Sequence, residues 1–169
     1  MALTLVGGGA RSGKSTYALR RARECGGRLA YVATAQALDE EMRARVAAHQ
    51  AERGGEFETI EEPVDLAAVI TARAGEFDAL VVDCLTLWLS NLLLAGGLDV
   101  RRETGRLLEA VTDVRSRVIL VTNEVGLGIV PDNELARRFR DESGRLNQEV
   151  AARADEVWWM VFGCPMRVK

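Results

Sequence analysis

The segment Gly8-Gly9-Ala10-Arg11-Ser12-Gly13-Lys14-Ser15 constrains this chain more than any other stretch of it. It follows an apolar run, Leu3–Val6, and precedes an amphipathic pattern that starts at Lys14. The spacing is that of G-x-x-x-x-G-K-[ST], which requires one local context: strand, tight loop, helix. Glycines remove the Cβ atoms that would stop the backbone from curling round an anion, so successive N–H groups point inward. The helix that follows turns its positive N-terminal end to the same place. In that geometry Lys14 reaches the β and γ oxygens of a nucleoside triphosphate, and the Ser15 hydroxyl is a ligand for Mg²⁺. A glycine-rich turn without a ligand is the competing reading; the strand before it and the helix after it weigh against that.

Along the rest of the chain, short β-branched runs alternate with longer helical patterns, as in a mostly parallel sheet covered by helices. Strands are expected at Leu3–Val6, Leu29–Ala33, Phe57–Ile60, Ala79–Asp83, Val118–Thr122 and Val157–Phe162. Several are apolar throughout rather than alternating, as strands buried on both faces are. Helices are expected over Lys14–Cys25, ending at Gly26-Gly27, and over Asp39–Arg53, stopping at Gly54-Gly55. Others follow Pro63 and cover Leu85–Ala95, Val100–Arg115 and Asn133–Ala154. Glycine suits a helix C-cap and proline a first turn. With 169 residues, no internal repeat and no linker, the span 1–169 is expected to form one domain.

Charge and cysteine usage narrow the partners. A net charge of −3 and a pI near 5.4 argue against a nucleic-acid-binding face. Arg20, Arg21 and Arg23, and again Arg137, Arg138 and Arg140, alternate with apolar residues at helical spacing. They read as solvated helix faces rather than a track for a phosphate backbone. Cys25, Cys84 and Cys164 are scattered, and an odd count without an export signal favours reduced thiols in the cytoplasm. The start of the chain lacks the features of a signal peptide. The longest apolar stretch, Cys84 to Ala95, falls well short of the roughly 20 residues that cross a bilayer. A soluble cytoplasmic protein with no membrane insertion is expected.

A triphosphate-bound Mg²⁺ needs a second support, an acid at the end of another buried strand. Ala79-Leu80-Val81-Val82-Asp83 supplies one, although Asp83 also stands where it could cap the helix that begins at Leu85. The only histidine, His49, follows Met42 and Val46 at i+7 and i+3 on the expected second helix, beside its apolar stripe. Two roles are open to it there. One is a helix-end histidine favoured by the dipole; the other is a nucleophile, because a neutral imidazole can attack phosphorus. Trp158-Trp159 in the last expected strand reads as core plus one subunit contact, not as a cofactor box.

Taken together, these blocks resemble the bifunctional adenosylcobinamide kinase / adenosylcobinamide-phosphate guanylyltransferases of cobalamin biosynthesis. The match runs through Gly8–Ser15, then Tyr31-Val32-Ala33-Thr34-Ala35 with Asp39-Glu40-Glu41-Met42 and His49. It continues through Val82-Asp83-Cys84-Leu85-Thr86-Leu87-Trp88-Leu89-Ser90-Asn91-Leu92-Leu93 and the stretch from Leu120 to Asp155. That last stretch holds Val121-Thr122-Asn123-Glu124-Val125-Gly126, Ile129-Val130-Pro131 and Arg145-Leu146-Asn147-Gln148. The resemblance implies an α/β, P-loop NTPase-like (RecA-like) fold, a mostly parallel sheet flanked by helices on both faces. It implies ATP and GTP as co-substrates, Mg²⁺ held by Ser15 and Asp83, a corrinoid acceptor, adenosylcobinamide, and a homotrimer. His49 matches the family position that becomes covalently guanylylated, with Lys14 as the second catalytic group. The nucleotide site carried over comprises Gly8, Gly9, Ala10, Arg11, Ser12, Gly13, Lys14, Ser15, Thr34, Ala35, Gln36, Gln50, Ala51, Glu52, Arg53, Glu61 and Asp83. Asn123-Glu124 would touch substrate or order the next loop, and Gly126 to Pro131 would be either a mobile loop over the corrinoid or a rigid connector. The chain departs from some relatives at Gln50, where they carry a basic residue, and at Phe57, where they carry Trp. From Val161 to Lys169 it matches loosely.

Overall fold

A computed structural model describes residues 2–36, 40 and 54–169. The expected strands form: β1 (Ala2–Gly8), β2 (Leu29–Ala33), β3 (Phe57–Glu61), β4 (Ala79–Asp83), β5 (Arg117–Val121) and β6 (Glu156–Val161). The last of them stops short of Phe162, because Phe162 and Gly163 both take positive φ and turn the chain back. A strand without a sequence expectation, β7 (Cys164–Arg167), follows that turn. All the strands join one seven-stranded sheet in the order β3-β2-β4-β5-β1-β6-β7. Every pairing is parallel except the β6–β7 hairpin.

Parallel neighbours need crossovers, and helices provide them. They are α1 (Lys14–Arg23), α2 (Leu66–Arg73), α3 (Leu85–Ala95), α4 (Val100–Thr112) and α5 (Glu134–Arg153). Their starts are set by side chains that accept a backbone N–H left free in the first turn: Asp65 from Ala68, Asp99 from Arg101, Asn133 from Ala136. The expected helix Asp39–Arg53 lies outside the described residues except for Glu40.

The unbroken apolar runs follow from burial on both faces. Leu3, Leu5, Ala30, Val32, Leu80, Val82, Val118 and Leu120 pack with α2, α3, α4 and α5. Their neighbours Val6, Leu29, Tyr31, Ala79, Val81, Ile119 and Val121 turn the other way and meet Tyr17, Ala18, Leu19 and Ala22 of α1. Trp88 of α3 is buried, and its indole N–H donates to the Val64 carbonyl at 2.6 Å. Removing such a side chain costs about 3–5 kcal/mol.

Of the arginines of α1, Arg20 and Arg23 are exposed, as expected of a solvated face, whereas Arg21 is half-buried. Arg21 pairs with Glu156 at 2.9 Å and with Glu24 at 3.1 Å, and lies over the Trp158 ring. Arg20 covers Tyr17, and Arg23 pairs with Glu56 while covering Phe57. Their stems and planar heads cover apolar surface at the helix–sheet seam, which sequence spacing alone does not show. The two tryptophans face opposite sides of β6: Trp158 meets Tyr17, whereas Trp159 packs over Gly7.

Register places the working end. Val6 is level with Val121, Val121 with Asp83, and Asp83 with Ala33, which is level with Glu61. The carboxyl ends of β1, β5, β4, β2 and β3 therefore line one rim, the place where α/β sheets bind ligands.

Candidate active site

The glycine loop leaves β1 at Gly8 and enters α1 at Lys14. Gly8 has φ 151°, and a β-carbon there would stand 2.8 Å from both the Met160 carbonyl oxygen and Ser12 Oγ, so only glycine fits. Gly13, at φ 89°, ends the loop as the N-cap of α1 without any side-chain hydrogen bond to the first turn. The free N–H groups of that turn are left for an anion. Arg11, exposed at the apex, takes φ 53°. The loop thus has the strained, inward-curling backbone its sequence requires, with Ala10 and Gly9 open to solvent.

Lys14 is buried although charged, and its ammonium donates to the Gly9 carbonyl at 2.6 Å. Burial lowers its pKa, against the opposing pull of Asp83 and Cys84. An ammonium held so close to its own loop is placed to turn toward phosphate oxygens, which would replace the carbonyl. Ser15, half-buried, follows on the first turn.

Asp83 ends β4, one strand away from β1 across β5. It does not cap the next helix; Cys84 does, with its sulfur accepting from the Leu87 N–H at 3.5 Å. Asp83 Oδ2 is buried and makes no hydrogen bond, and Ser12 Oγ is in the same state. A buried carboxylate oxygen without a partner is costly unless something comes to it. The donor set answers the question of Mg²⁺: a serine hydroxyl and a carboxylate are hard oxygen ligands of the type it selects, with triphosphate oxygens completing the shell. Ser15 and Asp83 fit the ion.

The remaining expected residues divide. Thr34 is fully buried, with its hydroxyl accepting from the Cys84 N–H at 2.7 Å and donating to the Cys84 carbonyl at 2.8 Å. Its side chain locks the end of β2 to the end of β4; Ala35 and Gln36 continue outward, half-buried and exposed. Glu61 is exposed at the rim. His49, Gln50, Ala51, Glu52 and Arg53 lie outside the described residues. Asn123 donates toward Cys84 sulfur at 3.9 Å, its own N–H going to Thr86 Oγ1 at 2.8 Å. The Glu124 N–H donates to the Gly8 carbonyl at 3.1 Å, and its carboxylate accepts from the Gly126 N–H. The Gly126–Pro131 segment that follows exposes Leu127, Ile129 and Val130. Arg137 of α5 donates to the Pro131 and Asp132 carbonyls and ties down its far end.

Three supporting residues carried no sequence signal of their role. Asn91 of α3 donates to the Thr34 and Pro63 carbonyls, both at 2.9 Å. Asn147 of α5 accepts from Thr122 at 2.7 Å. Gly163, beyond β6, donates its N–H to the Ser12 carbonyl at 3.1 Å and so braces the phosphate loop.

A family model described as cobinamide kinase / cobinamide phosphate guanyltransferase, CobU, matches residues 4–168. The chain is 50% identical over 168 residues to the bifunctional adenosylcobalamin biosynthesis protein CobP of Pseudomonas aeruginosa, covering 98% of this chain and 96% of that one. It is 41% identical to the bifunctional adenosylcobalamin biosynthesis protein CobU of Salmonella typhimurium, with 99% of each covered. In fold it is similar to the flagellar accessory protein FlaH of Methanocaldococcus jannaschii, at TM-score 0.59 and 15% identity, covering 99% of this chain and 78% of that chain. It is also similar to the RadB recombinase, at TM-score 0.54 and 18% identity, covering 94% and 73%.

Proposed function

The chain belongs to the cobinamide kinase / cobinamide phosphate guanyltransferase family, and from that premise we propose how its residues divide two reactions on adenosylcobinamide. The first transfers the γ phosphoryl group of ATP or GTP to the aminopropanol hydroxyl of the corrinoid. The second transfers GMP from GTP to the new phosphate, giving adenosylcobinamide-GDP and pyrophosphate. The observation that carries this reading is the cradle itself: a buried ammonium on Lys14 beside an unpartnered carboxylate on Asp83, at the mouth of an anion-binding loop.

In the first reaction the acceptor oxygen attacks the γ phosphorus, and the bond to the β–γ bridging oxygen breaks. The loop amides from Gly9 to Ser15 and the Lys14 ammonium hold the chain in line and take up the charge that gathers on the nucleoside diphosphate. Mg²⁺, when bound, would be held by Ser15 and Asp83 and would neutralise charge on the β and γ oxygens. Ala10, Arg11 and Ser12 line the same loop. In the second reaction the His49 imidazole attacks the α phosphorus and the bond to pyrophosphate breaks, leaving a phosphoramidate P–N bond. An oxygen of the corrinoid phosphate then attacks that phosphorus, and the P–N bond breaks to restore the imidazole. The cradle that grips the γ phosphate as a donor in one reaction grips the leaving pyrophosphate in the other. Thr34 to Gln36, Gln50 to Arg53 and Glu61 are assigned to the nucleotide on the strength of the family resemblance.

The whole span 1–169 is taken as one catalytic domain, supported by a single sheet in which β1 lies between β5 and β6. The resemblance also supports a homotrimer. Among the described residues no helix is long and apolar enough to cross a membrane. We place the enzyme in the cytoplasm because it consumes the nucleoside triphosphates made there.

Incubation with GTP labelled in its α phosphate tests the division. An acid-labile, base-stable protein adduct is expected, absent in His49→Ala, which should lose GMP transfer while still phosphorylating adenosylcobinamide. Equal loss of both reactions in a folded His49→Ala protein contradicts it, and so does an unlabelled wild type that retains kinase activity.

A further inference from the structure

Asn123 stands just past the end of β5, and β5 lies between β4, which carries Asp83, and β1, which leads into the phosphate loop. Its backbone is fixed from both sides. The Asn123 N–H donates to Thr86 Oγ1 of α3 at 2.8 Å, and the N–H groups of Thr122 and Glu124 donate to the Val6 and Gly8 carbonyls. The residue is thus held level with the start of the loop.

Alternation along the strand sends its side chain to the α1 face. Thr122 turns the other way, to Asn147 of α5, whereas Val121 packs with α1. Val81 packs there too, so Asp83, two residues further along β4, shares that face. The Asn123 carboxamide leans toward β4, with Nδ2 3.9 Å from Cys84 Sγ. This partner suits it badly. Sulfur is a weak acceptor, the distance is long, and the carboxamide makes no other hydrogen bond among the described residues. The groups that hold phosphate stand close by. Burial lowers the Lys14 pKa, and Asp83 and Cys84 are near enough to the ammonium to oppose that shift. Lys14 takes the β and γ oxygens in such a cradle. The carboxamide, between Asp83 and the loop, therefore lies at the γ end of the triphosphate, away from the β2 and β3 ends to which the nucleoside is assigned.

We propose that Asn123 is a catalytic residue of the phosphoryl transfer, its carboxamide N–H₂ leaving the Cys84 sulfur to donate to an oxygen of the γ phosphoryl group. This deepens the kinase reading of the loop and rests on it. An anionic oxygen is a much better acceptor than a thiol sulfur. As the acceptor hydroxyl bonds to the γ phosphorus, the bond to the β–γ bridging oxygen breaks and the hydroxyl proton passes to water. Charge spread over the γ oxygens in that transition state strengthens the amide's contact, and the amide itself gives up no proton. In GMP transfer the α phosphorus reacts, and the same contact only helps to hold GTP.

Kinetics and titration of the full chain in magnesium buffer test the proposal. Asn123→Ala should lower kcat for phosphorylation of adenosylcobinamide about a hundredfold, the size expected for one lost donor. It should weaken ATP about tenfold and leave ADP, which lacks the γ group, unchanged. Protein labelling by saturating GTP carrying a labelled α phosphate should also be unchanged. Asn123→Asp, with the same shape and a charge that repels phosphate, should be worse than Asn123→Ala in both kcat and ATP affinity. Unchanged kcat in Asn123→Ala overturns the proposal and leaves the kinase reading standing. Equal losses for ATP and ADP in a folded variant, or of phosphoryl transfer and protein labelling, overturn it in favour of a residue that only shapes the rim. An Asn123→Asp protein with wild-type activity does the same, since shape would then suffice. A wild type that binds ATP without phosphorylating adenosylcobinamide overturns the kinase reading, and the proposal with it.

Discussion

The two ends of the sheet differ in how their polar groups are satisfied. At the amino end exposed Asp78 and Asp155 and buried Ser116 all have partners. Asp78 accepts the Arg28 N–H at 2.8 Å, Ser116 donates within 2.8 Å of the Ala74 and Phe77 carbonyls, and Asp155 accepts the Leu3 N–H at 2.8 Å. At the carboxyl end Lys14 is buried with a lowered pKa, and Asp83 Oδ2 and Ser12 Oγ have no partner. What separates the two ends is satisfaction: one end is complete by itself, the other is completed by a ligand. Thr4 Oγ1, inside β1, and Arg21 Nε also lack a hydrogen bond, the latter lying 3.1 Å from a Glu24 carboxylate oxygen, so the contrast rests on the charged groups Lys14 and Asp83.

That contrast can be broken most directly at Lys14. Lys14→Met should lower both transfer activities by about 10²–10³-fold, as the loss of a charge-stabilising donor does. It should also raise stability near neutral pH. Burial holds the folded lysine's pKa below 10.5, so the unfolded chain binds its proton more readily and the folded form is penalised at low pH. The penalty fades as pH rises from the lowered value toward 10.5, and the melting-temperature advantage of the variant should shrink with it. An advantage absent at every pH would show Lys14 to be as well satisfied as the groups at the amino end.

Asp83→Asn comes next. Activity should fall about a hundredfold with a raised Mg²⁺ requirement, while stability changes by less than about 1 kcal/mol, because no hydrogen bond of Oδ2 is lost. Kinetics at varied Mg²⁺ alongside denaturant unfolding read both quantities. The mirror experiment is Ser116→Ala, at the other end: about 1–2 kcal/mol of stability lost and kcat/KM unchanged at a temperature where the variant is folded. If the two substitutions exchanged phenotypes, the contrast would be wrong.

The smallest effect is expected at Cys84. Burial, and the neighbouring Asp83 charge, push its thiol up to about 11. Alkylation near pH 8 should modify exposed Cys25 and Cys164 and spare Cys84, read by mass spectrometry of the peptides. Labelling of native Cys84 at a rate near that of the exposed thiols would show this end to be more open than its packing implies.

Much of this was legible in the chain. Strands buried on both faces wrote themselves as unbroken apolar runs, and β2 and β4 fall at the residues expected of them. Other features were illegible for definite reasons. β7 is short, exposed and polar in part, so neither periodicity nor apolarity marks it. The turn before it uses Phe162-Gly163 rather than one of the asparagine- or aspartate-glycine pairs that announce hairpins. Arg21 reads as a solvent-facing residue until Glu156 and Trp158 arrive beside it from the far end of the chain. Thr34 follows an expected strand, and nothing near it in the chain shows that its hydroxyl is consumed by Cys84, fifty residues on.

The sequence by itself determined what depends on neighbours along the chain: the strand–loop–helix of Gly8–Ser15, the alternation of elements, and through them the family. Only the tertiary structure decided which acid is left unpartnered, that Cys84 rather than Asp83 caps α3, and that a turn near the end of the chain leans on the phosphate loop near its start. The physical reason is range. Propensity, capping and φ preference act within a few residues, whereas desolvation and hydrogen-bond satisfaction are set by register between strands distant in sequence.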